Sequence, residues 1–458
     1  IGITPRTLEV LDDMGIAREM IDAGLWIDGL RSIIHGQPPK DAHQDLSDLP
    51  YSQLGLPQYE TERLLARHLG RYGVAVERGT GLHSLQQDDS GISAKLERVD
   101  GGTEDATFRY VIGCDGAHST VRHALGIAFE GEAMPMTFML GDVHVAWDLP
   151  RGMALRALRL VEDAAPDMFI AIPLPEPGRY RVSMIAPSEL TQSGGSDHGI
   201  QSETRGPALE DIQAIADNLV PGRPQLSDLR WSSMFRISMR LAAQYRRGRV
   251  FLAGDAAHIH SPAGGQGMNT GMHDAFNLAW KLKMVIAGTA KPSLLDSYSV
   301  ERSAVGDMVL RNAGRMTDAA ILRNPIAQGL RNAVVKFATG FPALQHFIAE
   351  QLSETNIAYP SSPLTAKNGH TANGPKPGMR WPNRLPAGAG GRTFTALGPK
   401  DAVTALAQKF PALVMSVSTD EPTHISSLRL IRPDGYVGFV GTAKDQAHAE
   451  AYLAKISA

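Results

Sequence analysis

The residues best suited to chemistry lie between positions 249 and 283, where a carboxylate and several glycines separate an apolar run from an amphipathic segment. Residues 249–253 predict a buried parallel strand, and Gly254 and Asp255 place a carboxylate at its end. The glycines that then lead into a predicted helix are Gly264, Gly265, Gly267 and Gly271. Because a carboxylate accepts hydroxyl donors and a helix N-terminus attracts anionic oxygens, the pattern predicts a site for a large anionic cofactor. A strand, turn and core helix without any ligand is the alternative interpretation.

A second stretch, residues 110–122, repeats this arrangement. An apolar run ends near Asp115 and Gly116, and Ser119 is a suitable N-cap for a short helix that contains Arg122. Taken alone, the stretch predicts a turn that an Asp115–Arg122 pair could stabilise.

Together with residues 292–302, these two stretches resemble the FAD fingerprints of the group A flavoprotein aromatic hydroxylases. The resemblance extends over nearly the whole chain. It is strongest at residues 110–122 and 249–302 and weakest at 130–235, where the substrate would bind. It implies an α/β fold with a Rossmann-like FAD-binding domain, an inserted antiparallel substrate sheet and a thioredoxin-like C-terminal domain.

The resemblance also implies roles for individual residues. In the Gly-Asp motif of Gly254 and Asp255, the carboxylate would bind the ribityl-pyrophosphate part of FAD, and Pro262 would line the substrate side of the flavin ring. The loop at Gly265 leads to the helix start, which comprises Gly267, Met268 and Asn269. The backbone amides of this helix start would stabilise the negative charge of the reduced flavin.

Three further residues match family positions. Gln58 matches a glutamine that hydrogen-bonds the ribityl-phosphate region, although a polar residue at a helix start is an equal alternative. Asp115 and Arg122 would hold their turn, and the Arg122 guanidinium would offer positive charge to the phosphates of the nicotinamide cofactor. No side chain can be assigned as the catalytic base.

The implied reaction is hydroxylation of a phenolic or polycyclic, polyketide-like substrate. NADPH or NADH would reduce FAD, and O2 would give a flavin hydroperoxide that transfers oxygen to the ring. One alternative is an epoxidase or reductase of the same fold. Another is a flavin-less fragment that acts only as a binding protein.

Composition limits the remaining classes of function. With 458 residues, 43% hydrophobic and 20% charged, the chain can form two or three globular domains. The net charge of −3 argues against nucleic acid as a partner, and no apolar run approaches a membrane span. Cys114, the single cysteine and predicted to be buried, excludes an intramolecular disulfide and favours the cytoplasm. The histidines show no metal-ligand spacing, so no metal is expected.

The elements that must position these residues divide the chain into predicted parts. Residues 1–126 and 236–353 form the FAD-binding domain, with a loop-rich substrate-side segment at about 28–58, and residues 127–235 form the β-rich substrate domain. Residues 354–378 are a predicted linker, and residues 379–458 are a predicted thioredoxin-like domain. Because this domain lacks a C-x-x-C motif, it is expected to have a structural role or to support a homodimer, and no redox role. Short strands are predicted at 74–77 and 92–96.

The first residues carry one more expectation. Thr4 and Pro5 predict a helix start, and no G-x-G-x-x-G pattern occurs near them. Because the family's first βαβ unit carries that pattern, the resemblance implies that about one such unit is missing from this sequence, through truncation or in a natural fragment.

Overall fold

The computed structural model describes the chain apart from residues 44–45, 47, 160–166, 188–189, 191–205, 262–264, 322–350, 367–373, 384, 386–392 and 419–426. Its strands are β1 (Gly2–Ile3), β2 (Leu25–Trp26), β3 (Gly29–Ile34), β4 (Lys40–His43), β5 (Leu54–Gly55), β6 (Thr80–Gln87), β7 (Ile92–Arg98), β8 (Thr103–Phe108), β9 (Val111–Gly113), β10 (Phe129–Ala146), β11 (Met153–Arg159), β12 (Asp167–Pro173), β13 (Arg179–Ile185), β14 (Gln225–Ala242), β15 (Arg246–Arg247), β16 (Val250–Leu252), β17 (His258–Ile259), β18 (Phe394–Gly398), β19 (Val414–Ser418), β20 (Leu428–Ile431) and β21 (Val437–Gly441).

The helices are α1 (Pro5–Asp13), α2 (Ala17–Ala23), α3 (Gln58–Gly70), α4 (Thr120–Ala124), α5 (Leu209–Leu219), α6 (Gly267–Ile286), α7 (Asp296–Ile321), α8 (Lys400–Lys409) and α9 (Gln446–Ile456). The predicted cap of α1 is confirmed, because the Thr4 side chain accepts a hydrogen bond from the Thr7 amide and Pro5 occupies the first turn. No helix in the described part of the chain is long and apolar enough to cross a membrane.

The largest sheet has eight strands in the order β17-β14-β10-β13-β12-β11-β3-β4. Its pairs are antiparallel except for β11 and β3, which run parallel. This confirms the predicted antiparallel insert. It also places β3 and β4, from the loop-rich segment 28–58, in the same sheet. The sheet extends beyond the predicted boundary at residue 235, because β14 continues to Ala242 and β17 pairs with it.

A small three-stranded sheet of order β15-β16-β9, in which β15 is antiparallel to β16, positions the two carboxylate motifs. β16 pairs in parallel with β9, with Val250 opposite Val111 and Leu252 opposite Gly113. Both strands were predicted, and parallel pairing brings their carboxyl ends to the same edge. The loops that contain Asp115 and Asp255 therefore begin side by side.

Two predictions for this region are wrong. Residues 74–77 form no strand, and Val74 and Val76 are exposed in an irregular segment. The run is apolar enough for a strand, but no described strand lies alongside to bond with its backbone. Cys114, predicted to be buried, is exposed at the edge formed by β9.

The C-terminal sheet has the order β19-β18-β20-β21. β18, α8 and β19 form a parallel βαβ unit, and the antiparallel pair β20–β21 is followed by α9. Residues 379–458 therefore contain an α/β sheet, and their assignment as a thioredoxin-like domain stays a prediction. The domain packs directly onto α6, where Trp280 meets Phe394 edge-to-face. Within the predicted linker, Ile357 and Tyr359 are buried, so this part of the stretch packs into the core.

Candidate cofactor and substrate site

Asp255 stands just after β16, within a short 3₁₀ turn over Gly254–Ala256. Its side chain is exposed and makes no hydrogen bond or ion pair within the described ranges. The surrounding protein nevertheless desolvates the carboxyl enough to raise its pKa above the ordinary value. An accessible carboxylate without a protein partner is available to accept hydrogen bonds from a ligand.

The turn that carries Asp255 lies against α6 at a point of close backbone contact. Gly254 has a φ of +60°, and a Cβ at Gly271 would come within 3.3 Å of the Gly254 Cα. Two glycines are needed here, because one side chain would strain the turn and the other would separate it from the helix.

Helix α6 begins at Gly267 without a side-chain cap on its amides. The first intrahelical bond at this end joins the Thr270 amide to the Gln266 carbonyl, at 2.8 Å. The Gly267 and Met268 amides therefore have no side-chain acceptor in the part of the chain that the structure describes, and the positive end of the helix dipole adds to them. Gly265, with a φ of +67°, forms the turn before the helix. Pro262 lies outside the described residues.

Asn269 has its side chain fully engaged by the backbone. Its Nδ2 donates to the Gly2 and Gly265 carbonyls at 2.8 and 3.2 Å, and its Oδ1 accepts from the Thr4 amide at 3.0 Å. The side chain thus fixes β1 against the helix start. Only the Asn269 backbone amide remains for a ligand.

Asp274, which sequence reasoning did not identify, holds the turn onto the helix. Its buried carboxylate accepts from the Gly254 amide at 3.0 Å, from His258 Nε2 at 2.8 Å and from Arg302 Nε at 2.6 Å. Burial alone would raise the pKa of Asp274, but Arg302 and His258 lower it to about 2. The ionised Asp274 carboxylate in α6 therefore fixes the orientation of the Gly254–Ala256 turn.

Asp115 and Arg122 both serve the turn before α4. The Asp115 carboxylate accepts from the Ser119 hydroxyl at 2.5 Å and from the Val121 amide at 3.0 Å. The buried Arg122 guanidinium donates to the carbonyls of Ala117 at 2.7 Å and Ala256 at 2.9 Å. Arg122 therefore links the two carboxylate loops, and its predicted role toward nicotinamide phosphates stays a prediction.

Gln58 is exposed in the first turn of α3, where its Nε2 donates to Glu62 Oε1 at 3.1 Å. Leu64 of the same helix belongs to an apolar cluster against which Met268 packs. α3 and the start of α6 are therefore joined through one cluster, and the cofactor role of Gln58 stays a prediction.

A second residue that sequence reasoning missed is Glu354. It is 1% exposed and has a φ of +60°. Its carboxylate accepts from the hydroxyls of Thr4 and Thr270, both at 3.0 Å, and burial raises its pKa to about 7. It lies under the first turn of α6, within the stretch predicted as a linker, where no local signal marks it.

One face of the eight-stranded sheet is less covered by the described residues than the other; it is called the open face here and is defined by Leu140, Arg156, Ile170 and Ser183. These residues are only partly buried. The alternating residues on the other face are fully buried beneath α5; they include Met139, Phe169, Ala171, Val182 and Met184. Because α5 covers the buried face of the sheet, the open face is the surface of this sheet on which a ligand can lie.

The open face is turned toward the cofactor-side elements. Met239 of β14 lies 3.0 Å from where a Cβ of Gly314 in α7 would stand, and Leu241 lies 2.9 Å from where a Cβ of Gly306 would stand. α7 also carries Arg302, which holds Asp274. At one end of the face, Phe138, Phe235 and Ile237 form an apolar cluster with several methionines. No group of side chains in the described part of the chain could hold a metal ion.

Comparison with known proteins gives consistent matches. Residues 1–313 match a family model described as an FAD binding domain. The chain is 34% identical over 386 residues to 6-methylpretetramide 4-monooxygenase of Streptomyces rimosus, covering 82% of this chain and 66% of that protein. It is 37% identical over 319 residues to pentachlorophenol 4-monooxygenase of Sphingobium chlorophenolicum, covering 69% of this chain and 56% of that protein.

Among solved structures, the anhydrotetracycline hydroxylase OxyS from Streptomyces rimosus superimposes with a TM-score of 0.77 at 28% identity. The superposition covers 100% of this chain and 90% of OxyS.

Proposed function

The chain belongs to the family of FAD-dependent aromatic monooxygenases, and on this premise we propose that it hydroxylates a multi-ring phenolic substrate with NADPH or NADH as reductant. The relatives named for 6-methylpretetramide and pentachlorophenol support an aromatic substrate that carries ionisable hydroxyls. The matched regions span only 66% and 56% of these two relatives, so the activity of the whole protein is part of the proposal. A homodimer and a cytoplasmic location stay predictions.

The observation that carries the proposal is that an accessible Asp255 carboxylate, with no partner among the described residues, lies beside the uncapped start of α6. These groups fit FAD chemically, because the ribityl chain offers hydroxyl donors and the pyrophosphate and flavin carbonyls offer electron-rich oxygens. The close approach of Gly254 to Gly271 leaves no side chain between the turn and the helix.

Several residues would act during the reaction without touching substrate. Asp274 and Arg302 keep the turn in register with the helix, so that Asp255 and the α6 amides stay fixed relative to each other. The amides of Gly267 and Met268 would favour negative charge on a bound flavin, since the helix dipole adds to their own. Bound FAD supplies the activation of O2 and the transfer of one oxygen atom. The open face of the sheet would hold the aromatic ring and exclude water.

The proposal is tested by measuring FAD binding through fluorescence quenching and oxygen transfer through isotopically labelled O2. Asp255→Ala should weaken FAD binding by roughly 10- to 150-fold, the range expected for one hydrogen bond to a charged group. Asp22→Ala is the control, because Asp22 is exposed on α2 and pairs with Arg18.

Label should enter a phenolic product from a panel of single- and multi-ring phenols. Oxidation of NADPH or NADH by the FAD-loaded protein without any labelled product would favour a reductase of the same fold. A protein that does not bind FAD would contradict the proposal.

A further inference from the structure

Arg156 lies on the open face and has no anionic partner among the described residues. Its Nη2 donates to the Ser32 hydroxyl at 3.1 Å, and its Nε is buried with no hydrogen-bond partner in the described ranges. Burial lowers the pKa of Arg156, and no carboxylate in the described part of the chain opposes this shift. A partly buried guanidinium loses hydration, and this loss is normally offset by a carboxylate or phosphate.

Two other arginines of this sheet have their guanidinium groups paired with carboxylates. Arg181, also on the open face, pairs with Asp142 at 2.9 Å and stacks over Trp231. Arg159, three residues along β11 and on the opposite face, donates from Nε to Asp167 at 2.9 Å. Arg156 therefore differs from these two arginines, because apart from the bond to Ser32 its donors have no partner among the described residues.

The register places Arg156 in the middle of a row that crosses the open face. It stands opposite Ile170 of β12 and Ser32 of β3, and the row continues through Ser183 to Leu140. This row combines apolar contact with short hydroxyls around one cation. The adjacent row, from Phe138 to Ile185, is apolar.

We propose that Arg156 is the specificity-determining residue of this site and binds an anionic oxygen, a carboxylate or an ionised ring hydroxyl, on the aromatic substrate. The inference rests on the proposed function, because it assumes that an aromatic ring lies on the open face. The planar guanidinium suits a carboxylate or a pair of adjacent ring oxygens, since it donates two parallel hydrogen bonds. The apolar row would then contact the uncharged part of the ring system.

The experiment measures binding of a matched pair of ligands, 3-hydroxy-2-naphthoate and its neutral methyl ester. Binding is followed by calorimetry, with FAD-loaded and FAD-free protein. The variants are Arg156→Met, which removes the charge at similar length, Arg156→Lys, which keeps a point charge, and Arg159→Met as the matched control. The wild type should prefer the anionic ligand at least tenfold, and Arg159→Met should keep that preference.

Arg156→Met should remove the preference while still binding the ester, and Arg156→Lys should retain part of it. Because an unpaired buried charge opposes folding, Arg156→Met should have a Tm equal to or above that of the wild type.

A wild type that does not prefer the anion, or an Arg156→Met variant that keeps the preference, would overturn the inference. A lowered Tm with unchanged preference would assign Arg156 a structural role instead. Failure of the wild type to bind FAD would contradict the proposed function separately, since ligand preference is also measured on FAD-free protein.

Discussion

Replacing Glu354 with glutamine should remove a pH-dependent loss of stability. Glu354 is buried under the first turn of α6, where the hydroxyls of Thr4 and Thr270 donate to its two oxygens. Burial raises its pKa from 4.5 to about 7, although these hydroxyls and Arg302 act to lower it. His273 Nδ1 lies 3.8 Å away, but its own pKa is lowered well below 6.5 by burial and by Arg302, so it is neutral.

The sign follows from proton binding in the two states. Between pH 4.5 and about 7 the folded chain holds a proton on Glu354 that the unfolded chain has released, so stability falls as pH rises through this window. A shift of this size corresponds to about 3 kcal/mol, fully lost above pH 7. Glutamine resembles the protonated acid and can bond to both Thr hydroxyls. Glu354→Gln should therefore match the wild type near pH 5 and exceed it by up to about 3 kcal/mol near pH 8.

The assay is denaturant unfolding of both proteins at several values of pH. Comparing the variant with the wild type removes the contributions of other groups, including the nearby Asp274. Glu77→Gln, at an exposed glutamate in an irregular segment, is the control and should follow the wild type at every pH. Parallel pH dependence of Glu354→Gln and wild type between pH 5 and 8 would refute the reasoning.

Two further predictions concern the turn that carries Asp255. Asp274→Asn should destabilise the protein by about 3–5 kcal/mol, because it leaves Arg302 buried without its charge partner; an unchanged Tm would contradict this. Gly271→Ala should weaken FAD binding more than it lowers Tm. Its Cβ would press within 3.3 Å of the Gly254 Cα and displace the turn from the helix. Equal FAD affinity in quenching titrations would argue against that contact.

Features governed by local physics could be read from the sequence. The apolar runs at β9 and β16, the Thr4 cap and the Ser119 cap depend on residues within one turn or strand, and all are confirmed. The resemblance to the flavoprotein hydroxylases rested on the same local stretches, and the family match confirms it. The run at residues 74–77 shows the limit, because an apolar segment becomes a strand only beside a partner.

The tertiary structure decided which polar groups meet and which stay free. Asp274 receives bonds from Gly254 and Arg302, at separations of 20 and 28 residues, and Glu354 meets Thr4 across 350. Arg156 resembles any other strand arginine in sequence, and the register of β11 between β3 and β12 places it on the open face without a charged partner among the described residues. Sequence patterns report the short-range periodicity of the backbone, whereas charge pairing and burial depend on contacts that form only when distant segments pack together.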